Sequence, residues 1–387
     1  MTTDQLRTAT QQLLEDNILK FWADRMYDPK SGFYGRMDGH NVLHPEAERG
    51  AVLNARLLWS FAAAYRVLHK PEYLQMATHA KDYICAHFLD REQGGVYWSV
   101  TADGTPLDTK KQTYAIGFMI YAFSEYARAT GDEQAKLQAI GLFETIEQHA
   151  FDAEHVGYVE ALTRDWQPIA DMRLSDKDEN AAFTMNTHLH ILEPYTNLYR
   201  IWPDECLHQR LLTLISIFTD RLYNPVNHHV DCFFDTNWNG RRDIASYGHD
   251  IEAAWLLNEA LTVLNDDRLT AQVRPVTAHI AQASLEGIQP DGSMIHEDHD
   301  ASRQWWVECE AVIGFIDQWQ LTGDKQWMER AEKAWGYLND HLIDRNHGEW
   351  FWAILPDGTP DTANDKAGFW KCPYHNSRMC YELIERL

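Results

Sequence analysis

A short pattern that recurs six times along the chain limits its fold more than any other feature. Each copy begins with glycine or aspartate, continues with alternating aromatic and apolar residues, and commonly ends in a turn such as Asp-Gly or Asn-Gly. The copies start at about positions 32, 94, 157, 230, 291 and 348, and the fifth is the weakest. Such segments are typical of short β-strands joined by hairpin turns. Their spacing of roughly 60 residues indicates a fold built from repeated units.

Two helical segments flank each predicted hairpin. The segment before each hairpin predicts an amphipathic helix, over 6–26, 73–88, 133–149, 205–222, 269–285 and 325–342. The segment after each hairpin is more apolar, with apolar residues at i, i+3 and i+4, and predicts helices over 50–68, 113–129, 184–201, 250–264, 305–321 and 374–386. Gly131, Pro203 and Gly323 follow three of these helices and act as C-terminal stop signals.

Six helix–hairpin–helix units can form an open solenoid or a closed ring. A solenoid needs polar capping faces on its terminal repeats, whereas the last predicted helix reads as apolar and is flanked by aromatic residues. We therefore predict an all-α fold, an (α/α)6 barrel with short β-hairpins at one end, formed by a single domain over residues 1–387. The more apolar helices should form the inner ring and the amphipathic helices the outer ring.

Composition excludes several classes of partner. The chain has 34 Lys and Arg against 58 Asp and Glu, a net charge of -24, which repels nucleic acids and anionic membranes. Neither a signal peptide nor an apolar run of membrane-spanning length is found in the sequence. The six cysteines form no CxxC pair. These features predict a cytoplasmic enzyme, a monomer or weak homodimer, whose partner is a small molecule, and the 15 tryptophans suggest surfaces for sugar rings.

Polar and aromatic residues recur near the start of the predicted inner helices. They are Arg56, Tyr114, Asn186, His190, His249, Glu252, Trp305, Trp306 and His375. Because the inner helices all start at one end of the barrel, these side chains should point into one funnel. His249 and Glu252 are three residues apart and share a helix face, so the carboxylate is expected to hold one imidazole nitrogen. Each residue taken alone also fits a structural role, but three histidines at equivalent positions favour proton-transfer chemistry.

Other motifs are discounted. His296-Glu297-Asp298-His299 lacks the HExxH spacing on a helix, so it predicts a solvated loop rather than a metal site. His228-His229 is expected on the surface. The absence of GxGxxG, P-loop and GxSxG motifs argues against dinucleotide, nucleotide and serine-hydrolase chemistry. We therefore predict neither a metal ion nor a cofactor.

Five segments carry a resemblance to a known family. They are 94–98 (GGVYW), 184–190 (TMNTHLH), 246–253 (SYGHDIEA), 305–311 (WWVECEA) and 370–380 (WKCPYHNSRMC). They resemble the cellobiose 2-epimerases, within the N-acylglucosamine 2-epimerase superfamily, and the resemblance runs nearly end to end. It implies an (α/α)6 barrel that inverts C2 of a reducing sugar without a cofactor or a nucleotide effector.

The resemblance also implies roles for individual residues. His249 and His375 are similar to the two acid/base residues, His190 to the histidine that supports ring opening, and Glu252 to the partner that orients His249. Sugar-binding residues are implied at Arg56, Tyr114, Asn186 and Glu308, with Trp370 and one of Trp305 or Trp306 stacking on the two rings. The predicted reaction removes the C2 proton of the open-chain aldehyde and returns a proton to the opposite face of a cis-enediolate.

Substrate and outcome stay open at the level of sequence. The substrate could be cellobiose, mannobiose, lactose or free mannose. The enzyme could also be a D-mannose 2-epimerase, or an aldose–ketose isomerase that reprotonates C1. An inverting glycoside hydrolase needs two carboxylates about 6.5–9.5 Å apart, whereas the inner-helix starts are rich in histidine. A non-catalytic sugar-binding protein would leave the three histidines without a role.

Overall fold

The computed structural model describes residues 2–176, 178–241 and 244–387. These residues form twelve α-helices: α1 (Thr3–Leu13), α2 (Ala51–Leu68), α3 (Pro71–His87), α4 (Thr113–Thr130), α5 (Glu133–His149), α6 (Met185–Ile201), α7 (Glu205–Ile217), α8 (Tyr247–Leu264), α9 (Asp267–Ala283), α10 (Trp305–Thr322), α11 (Lys325–Tyr337) and α12 (Tyr374–Arg386). Further helical turns at Leu14–Leu19, Trp22–Met26, Phe218–Leu222, Ser284–Gly287 and Leu338–Leu342 extend α1, α7, α9 and α11.

Odd-numbered and even-numbered helices differ in burial as the sequence predicts. In α2, every residue from Ala51 to Ala64 is buried. In α5, the buried residues lie on one stripe, from Ala135 to Ile146 at helical spacing. A helix that is apolar all round belongs inside a fold, and one with a single apolar stripe belongs at its surface. The even-numbered helices therefore form the inner ring and the odd-numbered helices the outer ring.

All six predicted hairpins are present as antiparallel pairs. The paired residues are Tyr27 and Phe33, Leu89 and Val96, Phe151 and Tyr158, Tyr223 and Val230, Ile288 and Met294, and Ile343 and Trp350. One of the six extends to two-residue strands, β5 (Phe151–Asp152) and β6 (Gly157–Tyr158). Each hairpin thus joins an outer helix to the following inner helix at the same end of the molecule.

A second set of strand pairs links neighbouring repeats. The strands are β1 (Arg49–Gly50), β2 (Ser99–Val100), β3 (Pro106–Asp108), β4 (Lys111–Gln112), β7 (Ala161–Leu162), β8 (Phe183–Thr184), β9 (Phe233–Phe234), β10 (Arg303–Gln304) and β11 (Ala353–Ile354). β1 pairs with β2, which pairs with β3; β4 pairs with β7, β8 with β9 and β10 with β11, all antiparallel. Single bridges join Ser246 to Glu297 and Met37 to Ala367. The segment before each inner helix therefore pairs with the hairpin of the next repeat.

The ring closes between the last and the first repeat. Met37 of the first repeat bridges Ala367 of the sixth, and α12 packs against α2 and α10. The predicted (α/α)6 barrel is confirmed, although the reason given for closure was wrong. α12 is buried but not apolar, because Asn376, Ser377 and Arg378 on it are buried polar residues. Within the described part of the chain, none of the helices is long and apolar enough to cross a membrane.

Candidate active site

A cavity of about 740 Å³ opens at the end of the barrel where the inner helices begin. Ten of the eleven predicted site residues line it: Arg56, Tyr114, Asn186, His190, His249, Glu252, Trp305, Trp306, Trp370 and His375. They come from all six inner helices or the segments just before them. The repeat geometry therefore brings together residues that are far apart in the sequence.

Glu308 is placed elsewhere, contrary to the prediction of a sugar-binding role. Its side chain is buried outside the cavity, and its Oε1 accepts the backbone N–H of Met294 at 2.9 Å. Burial raises the pKa of Glu308 well above its usual value. A buried amide needs an acceptor, so Glu308 anchors the fifth hairpin to α10 instead of binding a ligand.

His249 lies in the first turn of α8 and is oriented by a hydroxyl group. Oγ of Ser246 lies 2.8 Å from Nδ1 of His249. The predicted partner, Glu252, instead accepts a hydrogen bond of 2.6 Å from Nη2 of Arg378. The i, i+3 spacing places Glu252 on the same face of α8, but a buried carboxylate is stabilised more by a nearby guanidinium than by a neutral imidazole.

His375 lies in the first turn of α12 and is oriented by a carboxylate. Its Nδ1 lies 2.7 Å from Oε1 of Glu310 on α10. A carboxylate at this distance holds the proton on Nδ1 and leaves Nε2 as the free base. Oε2 of Glu310 accepts the indole N–H of Trp255 at 2.9 Å, so the orienting group is itself fixed.

His190 lies where α6 bends. Its backbone has φ −87° and ψ 16°, outside the helical values, and Pro194 four residues later offers no N–H to its carbonyl oxygen. The bend turns that carbonyl toward α4, where Gly117 has no side chain in the way; a Cβ there would lie 2.5 Å from the oxygen of His190. Nδ1 of His190 lies 3.0 Å from Oε2 of Glu193.

One arginine joins the carboxylates beneath the histidines. Nη2 of Arg378 donates to Glu252 at 2.6 Å and to Glu310 at 2.7 Å, and Nη1 donates to Glu193. All four side chains are at most 1% exposed. Burial alone would raise the pKa of Glu193, but the charge of Arg378 and the bond from His190 lower it to about 2. Burial and the charge of Glu310 raise the pKa of Glu252 to about 8.

Arg56 is held against the faces of two aromatic rings. Its guanidinium carbon lies 4.2 Å from the ring centre of Phe118 and 4.5 Å from that of Tyr374. Nη2 of Arg56 donates to the hydroxyl of Tyr114 at 2.9 Å. Ring faces close to a buried cation stabilise it by cation–π attraction. Arg56 and Tyr114 thus form a rigid donor pair beside His190.

Tryptophans form the remaining walls. The ring centre of Trp306 lies 4.7 Å from that of His249 and 5.7 Å from that of His375. Trp305 packs on Trp352, and Trp370 packs on Trp98 and Tyr114. The two histidines therefore approach one region of the cavity from α8 and α12, with an indole between them.

The sequence matches one protein family along most of its length. Residues 32–378 match the N-acylglucosamine 2-epimerase (GlcNAc 2-epimerase) family. The chain belongs to this family. A cellobiose 2-epimerase of Bacteroides fragilis is 50% identical over 386 residues, 98% of each chain. One from Ruminococcus albus is 40% identical over 97% of each chain.

A solved structure shares both fold and sequence with this member of the N-acylglucosamine 2-epimerase family. Cellobiose 2-epimerase from Bacillus thermoamylovorans B4167 has a TM-score of 0.95 and 39% identity, covering 99% of this chain and 100% of that one. The prediction of a carbohydrate epimerase of the isomerase class is confirmed by these relatives.

The rim of the cavity contains a loop that the sequence analysis discounted. The cavity is lined by His296, Glu297, His299 and Asp300. The ring centre of His296 lies 5.7 Å from that of Trp306. The segment is a loop with Asp298 and His299 exposed, as predicted, but its place at the cavity was not predicted. The bridge between Glu297 and Ser246 holds this loop over the start of α8. His229 is also misplaced by the prediction, since it is buried with Nδ1 2.7 Å from Asp250.

One group of side chains in this epimerase-family chain has the spacing of a metal site. Ligand atoms of Glu252, Glu310 and His375 lie within 4.8 Å of one another, alone among the residues that the structure describes. Arg378 donates to both of these carboxylates. A divalent cation would have to displace that guanidinium, so the cluster is suited to an ionic network, and metal independence stays a prediction.

Proposed function

We propose that this protein is a cellobiose 2-epimerase, which reversibly inverts C2 of the reducing-end sugar of β-1,4-linked disaccharides. The observation that carries the proposal is the meeting of His190, His249 and His375 at one cavity, each with a hydrogen-bonding partner for Nδ1. The volume of about 740 Å³ lies within the range of small-molecule sites. The 50% identity to a cellobiose 2-epimerase supports the substrate.

Ring opening comes first in the proposed reaction. A free aldehyde acidifies the C2 proton, so the enzyme must open the hemiacetal and hold the new carbonyl group. His190 and the guanidinium of Arg56 flank the ring of Tyr114 on one wall. In this position they donate hydrogen bonds to the carbonyl oxygen and then to the enediolate oxygen, where negative charge develops.

Proton transfer at C2 is assigned to His249 and His375. They extend from different helices toward the region beside Trp306, so they reach a substrate there from two directions. One histidine removes the C2 proton and the other returns a proton to the opposite face of the cis-enediolate. Burial lowers the pKa of both histidines well below 6.5, so each is an unprotonated base at neutral pH.

The remaining predicted residues are assigned to substrate binding. Asn186 and Tyr114 offer polar groups to sugar hydroxyls from the cavity wall, and Trp370 with Trp305 or Trp306 offers flat rings for stacking. The three carboxylates at the site share one arginine. They are therefore grouped beneath the histidines, and the groups assigned to proton transfer are imidazoles, whereas an inverting glycosidase uses two opposed carboxyl groups.

We also propose that the enzyme acts in the cytoplasm as a monomer or weak homodimer, without nucleic acid or membrane partners. Among the described residues, Cys85, Cys206, Cys309, Cys372 and Cys380 form no disulfide, and the last three of them are buried, which suits a reducing compartment. The net charge of -24 repels polyanions such as nucleic acids from the protein surface.

Incubation with cellobiose in D₂O, followed by proton NMR, tests the activity. We expect glucosyl-mannose that carries deuterium at C2. Release of glucose would identify a hydrolase instead. Conversion of mannose, but not of cellobiose, to glucose or fructose would move the assignment to a monosaccharide epimerase or isomerase.

The variants His249→Ala and His375→Ala test the assignment of the two bases. Each should lose at least about 100-fold in kcat, the usual contribution of a general acid or base, with an unchanged melting temperature. The exposed His40 provides the matched control, since His40→Ala should keep wild-type turnover. Wild-type turnover in either active-site variant would contradict the two-base assignment.

A further inference from the structure

Inversion by two bases leaves the enzyme in a different protonation state. If His249 removes the C2 proton and His375 delivers another proton, the turnover ends with the proton on His249 and none on His375. The next substrate of the same kind then meets the wrong base. A third group that receives the proton from one histidine and supplies it to the other would restore the starting state in every cycle.

Glu252 is placed to be that group. It lies one turn after His249 on α8, lines the cavity and is 1% exposed. One of its oxygen atoms lies within 4.8 Å of ligand atoms of both His375 and Glu310. One bridging water spans such a distance in proton transfer. Glu252 therefore adjoins the His375 side of the site while belonging to the helix that carries His249.

The bonding of the three carboxylates distinguishes Glu252 from the other two. In Glu310, Oε1 accepts from His375 and Arg378 and Oε2 from Trp255. In Glu193, Oε1 accepts from Tyr374 and Arg378, and Oε2 faces Nδ1 of His190.

Glu252 has a free oxygen atom that these neighbours lack. Among the described residues, Glu252 accepts one hydrogen bond, which Arg378 donates to Oε1. Oε2 of Glu252 is therefore available to carry a proton.

Burial raises the pKa of both Glu252 and Glu310, which favours a proton on this pair of carboxyl groups. The hydrogen bonds assign that proton to Glu252, because both oxygen atoms of Glu310 already accept hydrogen bonds. Burial, together with the charges of Glu310 and Glu193, raises the pKa of Glu252 to about 8, against the opposing charge of Arg378. Burial lowers the pKa of His249 and His375 well below 6.5. At neutral pH both histidines are then bases, and the proton that must be returned to C2 resides on the carboxyl group.

We propose that Glu252 is the proton store shared by His249 and His375, an inference that rests on the proposed two-base epimerisation. The carboxyl group of Glu252 gives its proton to His375, which becomes the imidazolium. His249 takes the C2 proton, and the C2–H electron pair becomes part of the enediolate. The imidazolium of His375 then protonates C2 from the opposite face, and His249 returns its proton to the Glu252 carboxylate. For the reverse substrate the two histidines exchange roles, and every cycle ends as it began.

The variant Glu252→Gln distinguishes a proton-storing role of Glu252 from a purely structural role. Glutamine keeps an oxygen that accepts from Arg378 but carries no transferable proton. A neutral histidine still removes the C2 proton, exchanges it with D₂O and returns deuterium to the same face. We therefore expect exchange without inversion: C2 deuteration of cellobiose within about 10-fold of wild type, and epimerisation lowered at least about 100-fold.

Glu308→Gln is the matched control, because Glu308 is an equally buried acid on α10 whose side chain lies outside the cavity. It should keep the wild-type ratio of exchange to inversion. If Glu252→Gln fails to fold, Glu252→Ala with added formic acid replaces it, and epimerisation should then rise with formate concentration.

Each outcome decides between possibilities. A parallel loss of exchange and inversion in Glu252→Gln would overturn the proposal, since it would mean that Glu252 only holds the site together. Unchanged inversion would overturn it as well. Absence of both exchange and inversion in the wild type would instead contradict the epimerase function itself.

Discussion

At the scale of single residues, the partner of His249 is the most informative contact. The Ser246 hydroxyl lies 2.8 Å from Nδ1 and selects the orientation of the ring. Ser246→Ala should lower kcat/KM for epimerisation about 10-fold, as loss of a group that orients a functional histidine does. Steady-state kinetics with cellobiose measure this effect.

Ser124→Ala is the control for this substitution, because Ser124 is buried in α4 away from the cavity and its Oγ has no partner among the described residues. Its kcat/KM should equal that of the wild type. Unchanged kinetics in Ser246→Ala would mean that the hydroxyl of Ser246 does not orient His249 for catalysis.

The protonation states of the site predict the pH profile. Burial, followed by the charges of His296, His190 and His375, lowers the pKa of His249 well below 6.5. The histidines thus lose their base form only well below pH 6.5, whereas Glu252 loses its proton above about pH 8. kcat/KM should be level through neutral pH and fall above about pH 8. A profile that keeps the same alkaline limb in Glu252→Gln would contradict this assignment.

The histidines could be predicted from the sequence, but most of their partners could not. His190, His249 and His375 occupy equivalent repeat positions, and the cavity brings them together. The i, i+3 rule was applied to His249, where it fails, and not to His190, where Glu193 satisfies it. Glu310 reaches His375 from another helix, and no local spacing indicates such a pair. Contacts between repeats need coordinates, since they depend on how helices pack.

At the scale of elements, the bend in α6 places His190. The bend depends on Gly117 of α4, since a Cβ there would lie 2.5 Å from the carbonyl oxygen of His190. Gly117→Ala should therefore shift α6 and lower kcat/KM at least about 10-fold, although alanine favours a helix interior by about 1 kcal/mol over glycine. Kinetics and thermal melting of the same preparation measure both effects.

Gly141→Ala is the control for the α4 substitution. Gly141 lies within the outer helix α5, and in the described part of the chain no atom lies within 4 Å of a Cβ at that position. Helix propensity then acts alone, so this variant should be more stable by about 1 kcal/mol with unchanged kinetics. Wild-type kinetics in Gly117→Ala would show that the position of His190 tolerates movement of α6.

The elements themselves were largely predictable because their signals are local. α4 and α10 end at Gly131 and Gly323, which take left-handed backbone conformations as stop signals do. The bend in α6 had a visible signal in Pro194 that the helix prediction did not use. The loop around His296 had none, because its position over the cavity depends on the bridge from Glu297 to Ser246.

At the scale of the whole molecule, six repeats form a ring with no free end. The repeat period predicted six units but left an open solenoid and a closed ring both possible, because the seam depends on contacts between residues at opposite ends of the sequence. Gly39 of the first repeat lies against the sixth, where a Cβ would lie 2.2 Å from the carbonyl oxygen of Thr362 and 2.5 Å from that of Asn364. Both neighbours are backbone atoms, so a side chain at position 39 forces the two repeats apart.

The seam gives a test of the single domain proposed for residues 1–387. Gly39→Ala should lower the free energy of unfolding by about 1–3 kcal/mol, the usual cost of overpacking. In a closed ring this strain spreads to all repeats, so urea unfolding followed by circular dichroism and by epimerase activity should shift together as one transition. Gly240→Ala, whose added Cβ meets no atom of the described residues within 4 Å, should leave both unchanged. Two separate transitions in Gly39→Ala would mean that terminal repeats unfold alone, as in an open solenoid.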